Sequence, residues 1–440
     1  MQGAVAEVLA TITPPGRFAV ELLVPGDALS IQITGVGRLD LPLSPGTVAR
    51  LRNVAKPSRF GLRDRTIYDT TIRDSREIAR RRIRIDQRHW NRTLTPALAD
   101  IRAGLGLAEG IELKAELDKM LIYGRGQFFL RHQDSEKGRD MIGTLVVSIP
   151  SKFRGGELTV EQHGEVMAFR GSHSALQLVA FYADCRHQVH RVTSGARVVL
   201  TYNLFAKGIE WAEPPRIEPA DVDALAGAMQ RHFETPVSPG LAREPATPDR
   251  LVYLLDYEYT AQGLRWELLK GADAVRAAAL RAAAKRLDCE IMLAQADVHE
   301  TWECESADWG DYDRRPYRDR FERASWDDLE DLDDEDDGDD LDELDLTPSD
   351  LIDSVIELRS GSGGRKPAAL SPAVRDEELC FTRPSRDLSP FETEYTGYMG
   401  NWGNTMDRWY HRGAVVIWPR RRRSAIGVPA SASVPDKRRR

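Results

Sequence analysis

The sequence predicts a mainly β protein whose core is an antiparallel sandwich or barrel, flanked by helices and followed by an α+β extension. Between residues 111 and 205, strand-like runs follow one another at a spacing of roughly 8–12 residues. Turns such as Arg154-Gly155-Gly156 and Arg170-Gly171-Ser172 separate them. This pattern is typical of antiparallel sheets and not of a parallel α/β sheet. The predicted strands are Leu121–Phe129, Met141–Ile149, Glu157–Glu161, Glu165–Phe169, Ala175–Tyr182 and Ala196–Phe205.

The segment before this core contains short apolar stretches separated by Pro and Gly, which predict a β-rich opening segment at an edge of the main sheet. These stretches are Val5–Ile12, Phe18–Val24 and Leu29–Ile33. The basic run Ser75–Ile85 is predicted to be an exposed strand or a solvated helix face, because no stacking aromatics interleave with it as on a nucleic-acid surface. Thr95–Leu107 has the apolar spacing of a helix, with Thr95 as its N-cap and Pro96 at its first position.

After the core, alternating helical and extended patterns predict an α+β extension. Its predicted elements are the helices Pro219–His232 and Ala272–Arg286 and the strands Leu251–Tyr259 and Glu290–Thr301. Asp327–Asp345 holds 14 acidic and no basic residues. Such a run buries too little apolar area to offset its ordering entropy, so it is predicted to be a disordered linker. Removing these charges from the net −8 leaves the rest of the chain at +6.

The C-terminal part is predicted to hold a looser region and a final ordered piece. Leu358–Leu370 is rich in Ser and Gly and extends the linker. The aromatic-rich Phe391–Pro419 ends in a predicted strand, Ala414–Trp418, and favours a packed β-rich subdomain over a lid or docking surface. The basic runs Arg420–Arg423 and Lys437–Arg440 are predicted to be solvated.

These patterns divide the chain into six predicted segments. They are an N-terminal β-rich and helical support segment (1–110), the core (111–210), the α+β extension (211–304), the acidic linker (305–370), the aromatic-rich segment (371–419) and the basic tail (420–440).

Cysteine usage and the N-terminus predict a cytoplasmic protein without a membrane partner. The four cysteines lie far apart and form no CxxC pair, which argues against a disulfide framework or a structural zinc site. The N-terminus lacks a basic region and is interrupted by Pro14-Pro15, so no signal peptide is expected. No apolar run approaches the roughly 20 residues that a membrane-spanning helix needs.

The motif His132-Gln133-Asp134 is the strongest candidate for a metal site. In an extended segment, residues two apart project from the same face, so this motif presents an imidazole and a carboxylate together. A third ligand must come from elsewhere in the fold. The candidates are His163, His173, His187 and His190. Two histidines and one carboxylate leave three coordination positions open, as in non-haem Fe(II) oxygenases.

The surroundings of this motif resemble a known family. The run Tyr123–Asp134 is similar to the tyrosine, glycine and aromatic approach to HxD in prolyl 4-hydroxylases. Further along come Asp184–Val189, which contains His187, and Ser194–Thr201, which contains an arginine. The order and spacing of these motifs resemble those of the prolyl 4-hydroxylase-like branch of the Fe(II)/2-oxoglutarate-dependent dioxygenases. An HxD motif is followed some fifty residues later by a histidine, and ten residues after that by an arginine. The resemblance covers about residues 121–204.

The resemblance implies a double-stranded β-helix (jelly-roll) core with Fe(II) and 2-oxoglutarate as cofactors and ascorbate as a possible third. His132, Asp134 and His187 would then be the iron ligands. Arg197 would pair with the distal carboxylate of 2-oxoglutarate, because a guanidinium binds a carboxylate bidentately. Tyr123 and Thr201 are similar to family residues that contact the same co-substrate. The implied reaction uses O2 to hydroxylate a C–H bond, prolyl in a protein or peptide being the first guess, and releases succinate and CO2.

Several alternatives stay open beside this interpretation. His190 competes with His187, although its shorter distance to Arg197 in sequence departs from the family pattern. His163-Gly164-Glu165 is an alternative imidazole–carboxylate (HxE) pair that is expected at the surface, and His173 is expected to be a loop residue. The competing functions are a catalytically silent jelly-roll scaffold that acts as a binding or sensor protein, and a nucleic-acid-directed oxygenase. The latter would need a basic groove around the metal.

Overall fold

The computed structural model describes residues 3–62, 65–134, 136–237, 246–304, 347–361, 373–396 and 404–420. The acidic run Asp327–Asp345 and the basic residues after Arg420 lie outside these ranges, as does most of Leu358–Leu370. The chain divides into two compact units. The first unit comprises Met1–Ala296, Leu358–Arg383 and Arg412–Arg440, and the second comprises Asp297–Glu357 and Pro384–His411.

The N-terminal segment contains three helices and several short strands. The helices are α1 (Ala4–Thr11), α2 (Pro45–Val54) and α3 (Gln87–Gly104). The strands are β1 (Ala19–Pro25), β2 (Ile31–Ile33), β3 (Gly37–Arg38), β4 (Lys56–Pro57), β5 (Phe60–Leu62), β6 (Arg65–Ile67), β7 (Arg73–Asp74), β8 (Arg76–Ala79) and β9 (Ile83–Ile85). Strand β1 forms an edge of the large sheet, as predicted. The basic run Ser75–Ile85 contributes β8 and β9, with Arg80 and Arg81 exposed between them.

Two predictions about this segment were wrong. Val5–Ile12 does not form a strand, because Val5 and Leu9, four residues apart, lie on the buried face of α1. Helix α3 does not begin at Thr95. Asp86 caps it by accepting the backbone N–H of His89, and Pro96 lies inside the helix. Burial of an apolar face that runs the length of α3 outweighs the backbone hydrogen bond that a proline removes.

Two antiparallel sheets form the core of the first unit. Its further strands are β10 (Glu112–Gly124), β11 (Phe128–His132), β12 (Met141–Ile149), β13 (Phe153–Gly155), β14 (Leu158–Gln162), β15 (Glu165–Phe169), β16 (Ala175–Tyr182), β17 (Arg186–Val189) and β18 (Val192–Lys207). The large sheet has the order β1-β16-β12-β18-β10-β8-β4, with β13 paired to β18, and the small sheet has the order β15-β14-β17-β11-β7. The prediction of a mainly β jelly-roll core is confirmed.

The predicted core strands match the structure closely except at one point. All nine residues of β12 are buried, which explains its continuous apolar sequence. The predicted strand Leu121–Phe129 is instead two strands, because β10 ends at Gly124 and β11 begins at Phe128. Gly126 has a φ of +84°, and the Gln127 side chain accepts the Gly124 N–H at 2.8 Å, so the chain turns here.

The extension contains the helices α4 (Pro219–Glu234) and α5 (Gly271–Arg286), both as predicted. Its strands, with those of the C-terminal part, are β19 (Leu251–Leu254), β20 (Cys289–Cys304), β21 (Leu351–Gly361), β22 (Leu379–Phe381), β23 (Glu392–Thr396) and β24 (Asn404–Pro419). In the first unit, β19 pairs antiparallel with the end of β24 and parallel with β22. In the second unit, β23 pairs antiparallel with β24.

Strand β19 is shorter than the predicted Leu251–Tyr259. The backbone N–H groups of Asp256 and Tyr257 donate to the fully buried carboxylate of Asp273 at 2.8 and 2.9 Å, so they are not available to a sheet partner. The described part of the aromatic-rich segment is β-rich, as predicted. Cys185, Cys289 and Cys380 are buried free thiols. None of the described helices combines the length and apolar character that crossing a bilayer requires.

Candidate metal centre

Adjacent strands of the small sheet bring the HxD motif to a third ligand. His132 ends β11, and its direct cross-strand partner in β17 is His187. Partners opposite each other in an antiparallel pair project from the same face, so the two imidazoles meet. Asp134 follows two residues after His132. Strand pairing, and not sequence proximity, therefore assembles the site.

The three side chains are spaced as ligands of one metal ion. One potential ligand atom from each of His132, Asp134 and His187 lies within 4.8 Å of the others. His187 Nε2 is 3.8 Å from Asp134 Oδ2, and the two imidazole centroids are 4.1 Å apart. In the part of the chain that the structure describes, this is the only group of three or more such residues.

Backbone hydrogen bonds fix which nitrogen each histidine offers. His132 Nδ1 lies 2.8 Å from the Leu130 carbonyl, and His187 Nδ1 lies 3.2 Å from the Cys185 carbonyl. A carbonyl only accepts, so each Nδ1 donates its proton to it, which leaves Nε2 as the ring nitrogen that can bind a metal ion. This is the arrangement that orients metal-ligating histidines in proteins.

The electrostatics of His132 and Asp134 suit a bound cation. Burial, followed by the neighbouring His187, lowers the pKa of His132 to about 3, so its ring is neutral near pH 7. Burial alone would raise the pKa of Asp134. The two histidines and a 2.5 Å hydrogen bond from the Thr144 hydroxyl outweigh burial and lower it. Asp134 is therefore ionised.

Aromatic packing around the histidines was not predicted from the sequence. The Phe129 ring stacks on His132 with centroids 3.5 Å apart, and the Arg73 guanidinium lies over the Phe129 ring, 4.3 Å from its centroid. Phe181 lies 4.7 Å from His187. Phe129 precedes the motif by three residues and could have been suspected. Nothing in the local sequence marks Arg73 or Phe181.

The large sheet carries a buried guanidinium on strand β18, that of Arg197. The Arg197 side chain is 1% exposed, and its Nη2 donates to Ser148 Oγ at 3.2 Å, while its Nε has no hydrogen-bond partner among the described residues. Among the described residues, no carboxylate pairs with it. Burial lowers the pKa of Arg197 to about 10. A buried cation of this kind fits an anionic group that enters from outside the protein.

Strand β12 connects the two parts of the site. Thr144, which holds Asp134, and Ser148, which holds Arg197, are four residues apart and so face the same side of the strand. Val146 is the β12 side chain between them on that face. Thr144 and Ser148 were missed by sequence reasoning, although their polarity in an otherwise apolar strand is a signal that could have identified them.

Tyr123 and Thr201, the other two residues predicted to contact the co-substrate, differ in their neighbours. Tyr123 lies directly opposite Arg197 in the pairing of β10 with β18 and is 1% exposed. Thr201 faces the same side of β18 as Arg197, and its hydroxyl lies 3.4 Å from the Lys119 carbonyl. Tyr123 is thus next to the guanidinium, whereas Thr201 has a contact within its own sheet. Their roles stay predictions.

The other three candidates for the third ligand have hydrogen-bond partners outside the triad. His190 is exposed, with Nε2 3.2 Å from the Thr159 hydroxyl. His163 Nε2 lies 2.9 Å from the Asp256 carbonyl, and His173 Nδ1 lies 2.9 Å from the Ser151 carbonyl. Of the four candidates for the third ligand, the structure brings His187 to the HxD motif.

Comparison with known families agrees with this geometry. Residues 119–205 match the family model described as "2OG-Fe(II) oxygenase superfamily". This segment is therefore similar to 2OG-Fe(II) oxygenases. It contains His132, Asp134, His187 and Arg197 together with most of the jelly-roll strands. The family uses Fe(II) and 2-oxoglutarate, the cofactors expected from the sequence.

Solved structures similar to this chain include three from different organisms. An oxidoreductase of the 2OG-Fe(II) oxygenase family from Burkholderia pseudomallei is 16% identical over 47% of this chain and 92% of its own, with a TM-score of 0.27. A prolyl-4-hydroxylase from Pseudomonas putida is 18% identical over 47% and 98%, with a TM-score of 0.27. A prolyl hydroxylase from Trichoplax adhaerens is 16% identical over 40% and 83%, also with a TM-score of 0.27. No curated protein matches the chain significantly.

Proposed function

We propose that the protein is an Fe(II)- and 2-oxoglutarate-dependent dioxygenase that hydroxylates a C–H bond in a protein or peptide, with a prolyl side chain as the first candidate. The observation that carries this proposal is the convergence of His132, Asp134 and His187 beside strand β12, through the bond from Thr144 to Asp134. The same strand holds the buried Arg197 through Ser148, and no described carboxylate pairs with that guanidinium. The prolyl candidate comes from the resemblance of Tyr123–Asp134 to prolyl 4-hydroxylases.

The protein's own groups would hold and orient the reactants. His132 and His187 offer Nε2 and Asp134 offers a carboxylate oxygen, leaving one side of the ion free. Arg197 would offer N–H donors to the distal carboxylate of the co-substrate, and its near-complete burial would exclude water from this contact. With O2, the bound iron and 2-oxoglutarate supply the oxidising chemistry, which releases succinate and CO2.

A catalytically silent scaffold is the main competing function. The complete triad and the buried Arg197 support the enzyme, because a protein without a co-substrate gains nothing from burying an unpaired guanidinium. The three buried free thiols support our further proposal that the protein works in the reducing environment of the cytoplasm.

An anaerobic titration followed by exposure to O2 tests the function. The purified protein should bind Fe(II) and then 2-oxoglutarate, with a visible charge-transfer band for the ternary complex. Admitting O2 should release succinate, and a prolyl peptide library should increase the amount released. Ascorbate is included to keep the iron reduced.

Two variants and one control make this experiment decisive. His187→Ala should lose the iron, and Arg197→Met should keep the iron but lose 2-oxoglutarate. His190→Ala, an exposed histidine three residues from the ligand, should behave as the parent does. If the parent binds neither iron nor 2-oxoglutarate, or if His187→Ala binds both as tightly as the parent, the enzyme proposal is wrong.

A further inference from the structure

The loop between β19 and α5 contacts both chain segments that carry metal ligands, the one with Asp134 and the one that leads to His187. We call residues 256–270 the brace loop. On the side of the HxD motif, Gln133 Nε2 donates to Glu258 at 3.4 Å, and the Thr260 hydroxyl donates to Glu136 at 2.6 Å. Further along, Arg265 forms an ion pair with Asp140. Three contacts therefore hold the segment that carries Asp134.

The same loop holds the segment that leads to His187. Lys270 Nζ forms a 2.8 Å ion pair with Asp184, and both side chains are about 5% exposed. The Glu258 backbone N–H donates to the other Asp184 oxygen at 3.2 Å. Asp184 precedes His187 by three residues, and its carbonyl accepts a 2.8 Å hydrogen bond from Gln133. The two ligand-bearing segments are thus bonded to one loop and to each other.

The brace loop is itself fixed to the start of α5. Asp273, in the first turn of that helix, accepts the Tyr259 hydroxyl at 3.0 Å in addition to the two backbone N–H groups at the start of the loop. The Lys270 N–H donates to the Tyr259 hydroxyl oxygen at 2.9 Å. With Asp273 fully buried, these bonds tie both ends of the loop to one rigid helix.

We propose that the brace loop is a positioning element of the metal centre, which keeps Asp134 and His187 at ligand spacing through Gln133, Glu136, Asp140 and Asp184. Metal ligands need support from groups that do not touch the ion, because small displacements of a ligand weaken binding steeply. The matched family segment ends at residue 205, so this support comes from outside it. The inference rests on the proposed iron-binding function.

The test uses the two partly exposed contacts of the loop, where substitution leaves the core intact. In Thr260→Val the bond to Glu136 is lost, together with the 3.1 Å bond that the hydroxyl accepts from the Gly263 N–H within the loop. In Arg265→Met the ion pair with Asp140 is lost. Each should raise the Fe(II) dissociation constant about tenfold, as is typical for groups that support metal ligands. Thr260→Ser, which keeps the hydroxyl, should restore the parent value.

A matched control separates positioning from general stability. Arg286 forms an exposed ion pair with Asp223 between the two extension helices, so Arg286→Met removes an extension Arg–Asp pair that does not touch the ligand segments. Its iron affinity should equal that of the parent. The readouts are anaerobic Fe(II) titration, the visible spectrum of the Co(II)-loaded protein, and the melting temperature.

Three outcomes would decide the matter. Weaker iron binding and an altered Co(II) spectrum in Thr260→Val and Arg265→Met, but not in Arg286→Met, would support the brace loop. Parent-like iron binding in both loop variants, or an equal loss in Arg286→Met, would overturn it. Failure of the unsubstituted protein to bind iron would instead refute the proposed function.

Discussion

Replacing Arg197 with methionine should stabilise the free protein and remove its response to 2-oxoglutarate. Arg197 is 1% exposed, no described carboxylate pairs with it, and its Nε has no hydrogen-bond partner. Such a charge costs the folded state free energy unless an anion is bound. Methionine is apolar and flexible enough to fill much of the same space.

The size of the effect follows from the pKa of the guanidinium. Burial lowers this pKa from 12.5 to about 10. At about 1.4 kcal/mol per pKa unit, the charged form costs the folded state about 3 kcal/mol. Because the folded-state pKa is the lower one, this cost is full at pH values well below 10 and declines as the pH rises through it. The hydrogen bond to Ser148 offsets about 1 kcal/mol. The expected net gain for Arg197→Met near pH 7 is about 2 kcal/mol.

Denaturant unfolding with and without co-substrate measures both effects. Mn(II) replaces Fe(II) to avoid oxidation. At 2-oxoglutarate concentrations of about 100 times its dissociation constant, the parent should gain about 2.7 kcal/mol and Arg197→Met should gain nothing. Arg197→Lys, which keeps a buried cation, should not show the stability gain of the methionine variant. Two results together would refute the reasoning. In the absence of 2-oxoglutarate, Arg197→Met would be less stable than the metal-loaded parent. On addition of 2-oxoglutarate, the variant would still gain stability.

Three further predictions concern the ligand set and the brace loop. His187→Ala should weaken Fe(II) binding by more than about 100-fold while His190→Ala does not, since only His187 meets the HxD motif; equal losses in an anaerobic titration would contradict this. Lys270→Met should cost about 3–5 kcal/mol in urea unfolding, because it leaves Asp184 charged and buried, and a loss below about 1 kcal/mol would argue against a tight pair. Burial, then the charge of Asp184, raises the pKa of Glu258 to about 7, above its ordinary 4.5, so its ionisation destabilises the fold as the pH rises between these values. Glu258→Gln should remove this part of the pH dependence, and a parallel stability-versus-pH curve would contradict it.

Much of the core was predictable because its signals are local. The apolar run Met141–Ile149 and the strand Ala175–Tyr182 have the bounds predicted from sequence, since strand formation there follows from residue type and flanking turns. The α+β extension was likewise predictable from helical periodicity. Helix α1 and the start of α3 were not, because there the burial of one helix face decided between local alternatives.

The candidate site was predictable in its residue types but not in its assembly. The spacing of His132 and Asp134 indicates a pair of ligands, and the resemblance to a family pointed to His187 and Arg197. The supporting residues Thr144 and Phe181 came only from the structure. So did the contacts of the brace loop, in which Lys270 meets an aspartate 86 residues away.

By itself, the sequence determined the mainly β core, the HxD motif and the candidates for the third ligand, because strand periodicity and ligand spacing are encoded within a few residues. Only the tertiary structure decided that His187 and not His190 faces the motif, that Arg197 is buried with no carboxylate partner among the described residues, and that the extension holds both ligand segments. Those facts depend on strand register and on packing between residues far apart in the chain, which no short stretch of sequence contains.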